Sequence, residues 1–215
     1  MAVYPSNCRR QYSTVWCGEM TKRLTAQAWI DFALVTLAHD GIEALKADVL
    51  ARKLGVSRGS FYWHFRDLGT FHAEIVERWR QTTTEAIIAE LQHYASAEQR
   101  LHALLRRAFG HKAVLEVHMR TWAENNAAAA RAVSEVDHRR RAYIERMLAD
   151  AGITPPLAAT RAQLLYWTYL GAALSGSKLT GQRLERIVSE LGRIGLGAAD
   201  ENGAISRRAT RRQRT

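Results

Sequence analysis

The chain of 215 residues contains only two cysteines and three prolines. Cys8 and Cys17 lie in an opening segment without hydrophobic periodicity, so the sequence supports neither a disulfide framework nor a cysteine-based zinc site. No apolar run approaches the roughly 18 to 20 residues of a membrane span, and the N-terminus lacks the compact apolar stretch of a signal peptide. These absences favour a protein of the reducing cytoplasm that makes no use of a membrane.

Motifs that carry catalysis are also missing. There is no Gly-rich phosphate loop, no nucleophile elbow and no pair of carboxylates beside a candidate base. His111 and His118 are two helical turns apart, but no cysteine and no His-x-x-x-His spacing accompanies them, so no metal site is predicted. We therefore expect neither an enzyme nor a cofactor-binding protein.

Acidic residues are in the minority, since 31 Lys and Arg stand against 21 Asp and Glu, for a formal net charge of +10. Such an excess favours an anionic partner, either nucleic acid or a membrane surface. Part of the charge lies in RRATRRQRT at residues 207–215, a composition typical of disorder. We expect residues 1–20 to be a disordered N-terminal extension and residues 199–215 to be a disordered basic tail.

Three short helices are predicted near the N-terminus, over residues 25–39, 47–54 and 58–65, because their apolar residues recur at helical spacing. Gly55 offers the left-handed conformation that ends a helix, and Ser57 stands where its hydroxyl would cap the next one. Two short helices joined through a glycine-containing turn form a helix-turn-helix, whose second helix enters the major groove of DNA.

Aromatic residues crowd the third of these helices. Phe61 and Phe65 are four residues apart and share one helix face, so we expect them in the core. Tyr62, Trp63 and His64 are turned away from that face. The sequence therefore predicts that the aromatic residues divide between packing and contact with a partner.

The rest of the chain predicts further helices, without strand-like alternation. Their expected ranges are 68–94, 97–110, 112–122, 127–151, 156–175 and 182–196. The fold class is therefore all-α.

The segments GIEAL and LARKLGVSRGSFYWHF, followed by a long helix, resemble the N-terminal signature of the TetR-type bacterial transcriptional regulators. The resemblance covers about residues 25–79. It implies an N-terminal three-helix, helix-turn-helix DNA-binding domain at residues 21–67. It also implies a larger C-terminal helical domain, at residues 68–198, for ligand binding and dimerisation.

The same resemblance implies which residues meet DNA. The predicted set is Thr25, Lys46, Ser57, Arg58, Gly59, Ser60, Tyr62, Trp63 and His64. An arginine at the start of a recognition helix can bond a guanine edge through two parallel N–H groups, and Gly59 lets the backbone approach the groove. Lys46 and Leu68 depart from the family pattern: Lys46 can still reach a phosphate, whereas Leu68 cannot.

For the larger domain, the resemblance implies an effector pocket among the middle helices. Aromatic and imidazole side chains there are the candidates for an unknown small-molecule effector: Trp79, His118, Trp122, Tyr143 and Trp167. A second expectation is a four-helix dimer interface, built from Leu164, Leu165, Thr168, Gly171, Ala172 and Ser175 together with Leu184, Ile187, Val188 and Leu191.

The predicted function is a cytoplasmic, homodimeric, ligand-responsive repressor that binds a palindromic operator in double-stranded DNA. Two alternatives stay open at this point. One is a nucleoid-type protein that binds DNA nonspecifically through its charge. The other is a sensor that acts through protein partners, which the departures at Lys46 and Leu68 allow.

Overall fold

The computed structural model describes residues 24–176 and 178–197, so the predicted N-terminal extension and basic tail lie outside the described residues. Within these ranges all regular structure is helical, which confirms the all-α prediction. The chain divides into two compact units between Thr82 and Thr83. We refer to residues 24–82 as the first unit and to the described residues from 83 onward as the second unit.

The first unit contains four α-helices and a short 3-10 turn. They are α1 (Ala26–Asp40), the turn Ile42–Ala44, α2 (Ala47–Leu54), α3 (Arg58–His64) and α4 (Leu68–Arg80). Gly55 ends α2 with a φ of 69°, in the left-handed region as predicted. Ser57 precedes α3, but the predicted hydroxyl cap is absent, because the N–H of Ser60 donates to the backbone carbonyl of Ser57 at 3.0 Å instead.

An aromatic cluster forms the core of the first unit. Phe61 is fully buried, and its ring centroid lies 5.5 Å from that of Trp29, 5.1 Å from Phe65 and 5.0 Å from Phe71. The rings of Trp29 and Phe71 meet Phe61 edge to face, an arrangement that stabilises aromatic pairs beyond the area they bury. The predicted packing role of Phe61 and Phe65 is thereby confirmed.

Helix α4 belongs to the first unit, so the division of the chain falls later than the predicted boundary at residues 67 and 68. The reason is packing: Phe71 contacts Phe61, and Arg78 Nε donates to Asp31 Oδ1 of α1 at 2.8 Å. Trp79 is fully buried within this unit, and the prediction that it lies in the larger domain is wrong.

The predicted single helix over residues 68–94 is interrupted by a π-helical turn, Gln81–Glu85. Thr82 stands at the start of the interruption, and its hydroxyl donates to the carbonyl of Arg78 at 2.8 Å. A threonine hydroxyl that bonds the preceding turn often bends a helix. π-Turns of this kind frequently mark functional positions.

The second unit contains six α-helices among its described residues. They are α5 (Ala86–Leu91), α6 (Ala97–Phe109), α7 (Val114–Asn125), α8 (Ala127–Asp150), α9 (Pro155–Leu174) and α10 (Gly181–Leu196). Its core joins buried residues of five of them, including Leu101, Leu148, Leu165 and Val188. Gly195 packs so closely that a Cβ there would lie 2.9 Å from the side chain of Leu101, which fixes α10 against α6.

Replacement of Phe61 by alanine tests the aromatic core. We expect Phe61→Ala to lower the free energy of unfolding by about 3 to 5 kcal/mol, because it leaves a cavity between three rings. Urea denaturation followed by circular dichroism measures the change.

Trp63→Ala is the matched control, since this neighbouring aromatic side chain is 70% exposed. It should cost less than about 1 kcal/mol. Equal losses in the two variants would contradict the division of the aromatic residues.

Candidate nucleic-acid interface

Helix α3 presents a polar and aromatic face opposite the buried cluster. Arg58, Gly59, Tyr62 and Trp63 are exposed on it. Large exposed aromatic side chains are uncommon on a surface that contacts only water, because burying them is strongly favourable. The exposed face of α3 therefore has the composition of a contact surface.

Arg58 and Tyr62 form a pair one helical turn apart on this face. Arg58 Nη2 donates to the Tyr62 hydroxyl at 3.0 Å, and the guanidinium carbon lies 5.4 Å from the centroid of the tyrosine ring. The hydrogen bond that Arg58 donates to Tyr62 raises the pKa of Arg58, whose guanidinium is charged in proteins in any case. A guanidinium has five N–H donors, and this contact leaves donors for a second partner. Tyr62 thus holds Arg58 in place without neutralising it.

The lysines near α3 are already paired with carboxylates. Lys46 Nζ lies 3.1 Å from Glu43 Oε2, and Lys53 Nζ lies 2.7 Å from Asp40 Oδ2. The hydrogen bond from Lys53 lowers the pKa of Asp40, which keeps that carboxylate ionised. Each lysine must exchange its carboxylate for a phosphate when it binds DNA. Their net gain on binding is therefore smaller than that of an unpaired cation.

Two exposed arginines that the sequence analysis did not select are also close to a carboxylate. Arg52 lies 3.9 Å from Asp48, and Arg66 lies 3.0 Å from Asp67. Arg52 lies within the segment LARKLGVSRGSFYWHF, and Arg66 directly follows it. These positions were the only sign in the sequence that the two arginines lie near the predicted DNA contacts. Among the lysines and arginines that the structure describes between residues 46 and 66, Arg58 is the one bonded to a hydroxyl rather than to a carboxylate.

The described first unit as a whole carries no net charge. Residues 24–82 contain seven Lys and Arg and seven Asp and Glu. The net charge of +10 of the chain therefore resides outside this unit. Any binding of DNA by the first unit depends on where its charges lie, because their sum is zero.

The other residues predicted to meet DNA lie at or near the exposed end of the unit. Thr25 caps α1, since its Oγ1 accepts the N–H of Ala28 at 3.1 Å, and its own hydroxyl hydrogen is left for an acceptor. Ser57 is exposed, whereas Ser60 and His64 are half-buried. A Cβ on Gly59 would come no closer than 3.7 Å to Ser57 Oγ, so the interior of the protein does not require glycine there.

Leu68 begins α4 with its side chain half-buried. The N-terminus of that helix is capped by Asp67, whose Oδ1 accepts the N–H of Thr70 at 2.7 Å. This backbone hydrogen bond, with help from Arg66, lowers the pKa of Asp67 to about 2. A carboxylate already occupies the helix end where a phosphate would otherwise be favoured.

The residues predicted to bind an effector differ in burial, from fully buried to exposed. Trp79 belongs to the first unit, Trp122 and Tyr143 are buried, His118 is half-buried, and Trp167 is 61% exposed. The second unit contains a cavity of about 260 Å³ between the ends of α6 and α9, and none of these five residues lines it in the part of the chain that the structure describes. Their role in effector binding stays a prediction.

A cluster of charged side chains contacts residues 83–85, in the second half of the π-turn. Arg140 of α8 donates to Thr84 Oγ1 at 3.0 Å, to the carbonyl of Thr83 at 3.3 Å and to Glu116 Oε2 at 2.8 Å. Arg139 adds two bonds of 3.1 Å to the carboxylate of Glu85. We call these contacts of Arg139 and Arg140 with residues 83–85 the arginine clasp. The clasp is a contact within the second unit, and it binds α8 to the first residues of that unit.

The described residues include no group of His, Cys, Asp and Glu arranged to hold a metal ion. His111 lies in the loop before α7, where it is bonded to the carbonyl of Arg107, and His118 lies on α7 itself. No helix in the described ranges is both long and apolar enough to cross a membrane.

Comparison with known proteins finds a likeness in the first unit. Residues 30–67 match the family model described as bacterial regulatory proteins, tetR family. The HTH-type transcriptional regulator AcrR of Shigella flexneri is 34% identical over 68 residues, which are 32% of this chain and 29% of that protein. The helix-turn-helix of the first unit is therefore that of the TetR family, as the sequence motif suggested.

Solved structures extend the likeness to both units. The reduced form of NemR from E. coli aligns with a TM-score of 0.64 and 17% identity, covering 79% of this chain and 96% of that one. A transcriptional regulator from Saccharomonospora viridis in complex with choline aligns with a TM-score of 0.66 and 17% identity, covering 82% and 98%. Such identities show the fold alone. The likeness in fold therefore covers both units, while the likeness in sequence to the TetR family covers the helix-turn-helix.

The paired lysines give a testable prediction. We expect the double variant Asp40→Asn, Glu43→Gln to bind random DNA more tightly than the wild type, because Lys53 and Lys46 are then free to meet phosphates. The slope of log K against log salt should steepen by about 1 to 2, since each added phosphate contact contributes about 0.9. Fluorescence anisotropy over a salt series measures it.

The matched control is Glu74→Gln, an exposed acidic residue of α4 outside these pairs. It changes the net charge by one without releasing a lysine. If Glu74→Gln changed the slope of log K against log salt as much per charge removed as the double variant does, only the net charge would matter. The pairing of the lysines would then have no effect on binding.

Proposed function

We propose that the protein is a sequence-specific DNA-binding transcriptional regulator that acts in the cytoplasm as a ligand-responsive repressor. The observation that carries the proposal is the Arg58 and Tyr62 pair on the exposed face of α3, whose other face is locked into the aromatic core. An arginine so held is suited to the O6 and N7 acceptors of guanine in the major groove. Tyr62, Trp63 and His64 flank it as contacts to sugar and phosphate.

The charge distribution favours specific over nonspecific binding. Nonspecific binding is almost wholly the release of counterions from phosphates, and it requires free positive charge. The first unit has equal numbers of acidic and basic residues, and four of its cations near α3 are paired with carboxylates. These features argue against a nucleoid-type protein that binds through its helix-turn-helix.

The exposed face of α9 supports a homodimer. Leu164, Trp167 and Leu174 are 47%, 61% and 63% exposed, and they share one side of the helix with Gly171. Ile194 of α10 adds a further exposed apolar side chain. Monomeric proteins rarely expose so many large apolar side chains on one helix, and a second copy of the chain would bury them.

The structure corrects the predicted dimer face in part. Leu165, Val188 and Leu191 are buried in the core of the second unit, so they are unable to meet a partner. Trp167, which the sequence analysis selected as an effector-binding candidate, is 61% exposed on the same side of α9 as Leu164 and Leu174. The proposed interface consists of Leu164, Trp167, Gly171 and Leu174, since these positions face outward.

Ligand response follows from the arginine clasp. Helix α4 directly follows α3, the proposed recognition helix. The arginine clasp binds residues 83–85, a few positions beyond the end of α4. A ligand that shifts α7 or α8 would move Glu116 or Arg140 and so displace the clasped turn. Repression requires less than activation does. A dimer bound at a promoter excludes RNA polymerase by occupying its site, whereas an activator must also contact the polymerase. Any such coupling is reciprocal between ligand and DNA.

Sequence-specific reading is tested on DNA selected from a random pool by the wild-type protein. We expect Arg58→Ala to lose roughly 5- to 150-fold in discrimination at one base pair of each half-site, as for a bidentate contact with guanine. Anisotropy titrations with selected and singly changed DNA measure the ratio.

His64→Ala is the companion variant, because a phosphate contact carries no sequence information. It should weaken binding to selected and random DNA alike. Equal losses of Arg58→Ala on both DNAs, or failure of the wild type to select any sequence, would refute the proposed reading role.

The homodimer is tested by placing a charge on its interface. Trp167→Glu should shift the protein from dimer to monomer at micromolar concentration, because two buried carboxylates would face an apolar surface. Tyr94→Glu, at an exposed aromatic residue between α5 and α6, should leave the dimer intact. Analytical ultracentrifugation distinguishes the states. A wild-type monomer, or a dimer that survives Trp167→Glu, would contradict this interface.

A further inference from the structure

The cavity of about 260 Å³ in the second unit is separate from the exposed face of α3 and from the arginine clasp. Its walls are mostly apolar, with Phe109 from α6, Val117 from α7, Ala173 from α9 and Leu179 from the segment after α9. Apolar cavities with a few polar groups at one place are the usual form of a small-molecule site. The fold leaves this space between three helix ends.

The size of the cavity limits the ligand. An apolar cavity of about 150 Å³ takes up benzene, which has six non-hydrogen atoms. In proportion, the cavity here accommodates a body of about ten non-hydrogen atoms. A fatty acyl chain of common membrane length is too long to be enclosed, whereas an eight-carbon chain or a small aromatic ring fits.

The titratable side chains that line the cavity are both basic residues. His111 and Lys112 come from the loop between α6 and α7. Lys112 is exposed, and within the described residues it has no ion pair and no hydrogen bond from its ammonium group. His111 donates its Nδ1–H to the carbonyl of Arg107 at 3.2 Å, since a carbonyl only accepts. The ammonium of Lys112 is therefore available to a ligand.

The nearby end of α7 adds to this preference for an anion. Ala113 and Val114 line the cavity, and Ala113 stands at the N-cap of α7, where it has no side chain to bond the first N–H groups. Glu116 lies in the same first turn, and its two carboxylate oxygens accept hydrogen bonds from Arg120 and Arg140. That carboxylate is not available as a counter-ion for a cationic ligand.

We propose that this cavity binds a small carboxylic acid of about ten non-hydrogen atoms in all, with a compact apolar body, such as a medium-chain fatty acid. The carboxylate meets Lys112 and the uncapped N-terminus of α7, and the apolar body packs against Phe109, Val117 and Leu179. A cationic ligand is disfavoured, because the lining offers one aromatic ring and no free carboxylate among the described residues. The role of such an acid as effector rests on the proposed function, but its binding does not.

Calorimetric titration of the full chain without DNA tests the binding. Octanoate should bind with a Kd on the order of 0.1 mM, as expected for a ligand of this size. Octylamine and octan-1-ol share the chain but not the carboxylate, and each should bind at least about tenfold more weakly, since charge-assisted hydrogen bonds are about twice as strong as neutral ones. Acetate, which lacks the apolar body, should show no binding.

Variants locate the site. Lys112→Gln should weaken octanoate binding about tenfold, because it removes the cation at the mouth. Lys178→Gln is the matched control, since Lys178 is an equally exposed lysine that does not line the cavity. Val114→Trp places a large side chain at a position that is both exposed and part of the lining, and it should abolish binding by filling the space.

The outcomes separate this inference from the proposed function. No binding of octanoate, equal binding of octylamine, or equal effects of Lys112→Gln and Lys178→Gln would overturn the carboxylate site. Binding that depends on Lys112 supports the site even if octanoate leaves the DNA affinity unchanged. In that case the acid is bound but is not the effector, and the proposed ligand response fails at this site alone.

Discussion

Burial of one side of a seven-residue helix is the constraint on which the proposed DNA-binding surface depends. Helix α3 is too short to be stable by its own hydrogen bonds, because isolated helices shorter than about 12 residues are marginal in water. Phe61 and Phe65 anchor it between Trp29 and Phe71. Packing on this side determines the orientation of the other side. The chemistry of recognition therefore rests on apolar contacts that never meet the DNA.

Charge has a different role in this molecule from the one that its composition suggests. The net charge of the whole chain is +10, yet the described first unit is electrically balanced. Carboxylates hold the lysines of that unit, while Arg58 is held by a hydroxyl. Pairing of this kind weakens attachment to arbitrary phosphates and leaves the most specific donor available. Discrimination between sequences is the difference between the affinity for the specific site and the affinity for other DNA. Weak binding to other DNA therefore increases the discrimination.

Much of the fold followed from local signals in the sequence, whereas partners distant in the chain did not. Helix limits, the left-handed Gly55 and the buried Phe61 depend on residues within a few positions, so periodicity and turn chemistry predicted them. The pair Lys53 and Asp40 joins residues 13 apart, on different helices, and no local pattern indicates it.

The candidate sites show the same limit more strongly. Periodicity identifies an apolar helix face, but it does not say whether that face is covered by the same chain. Leu165 lies in the core, whereas Trp167, on the opposite side of α9, is exposed. The sequence placed Trp167 in a pocket because large aromatic residues suit both environments. Likewise, the basic lining of the cavity arises where a loop meets the end of a distant helix, and only the folded chain brings these together.

Methylation interference on DNA selected by the protein tests the central claim most directly, namely that Arg58 reads a guanine from a rigid platform. Methylation at N7 removes an acceptor that a bidentate arginine requires. We predict that one guanine in each half-site, spaced by one helical turn of about 34 to 36 Å or a multiple of it, blocks wild-type binding when methylated. In Arg58→Ala the same methylation should have no effect. Interference that is absent from the wild type, or unchanged in Arg58→Ala, would contradict the account.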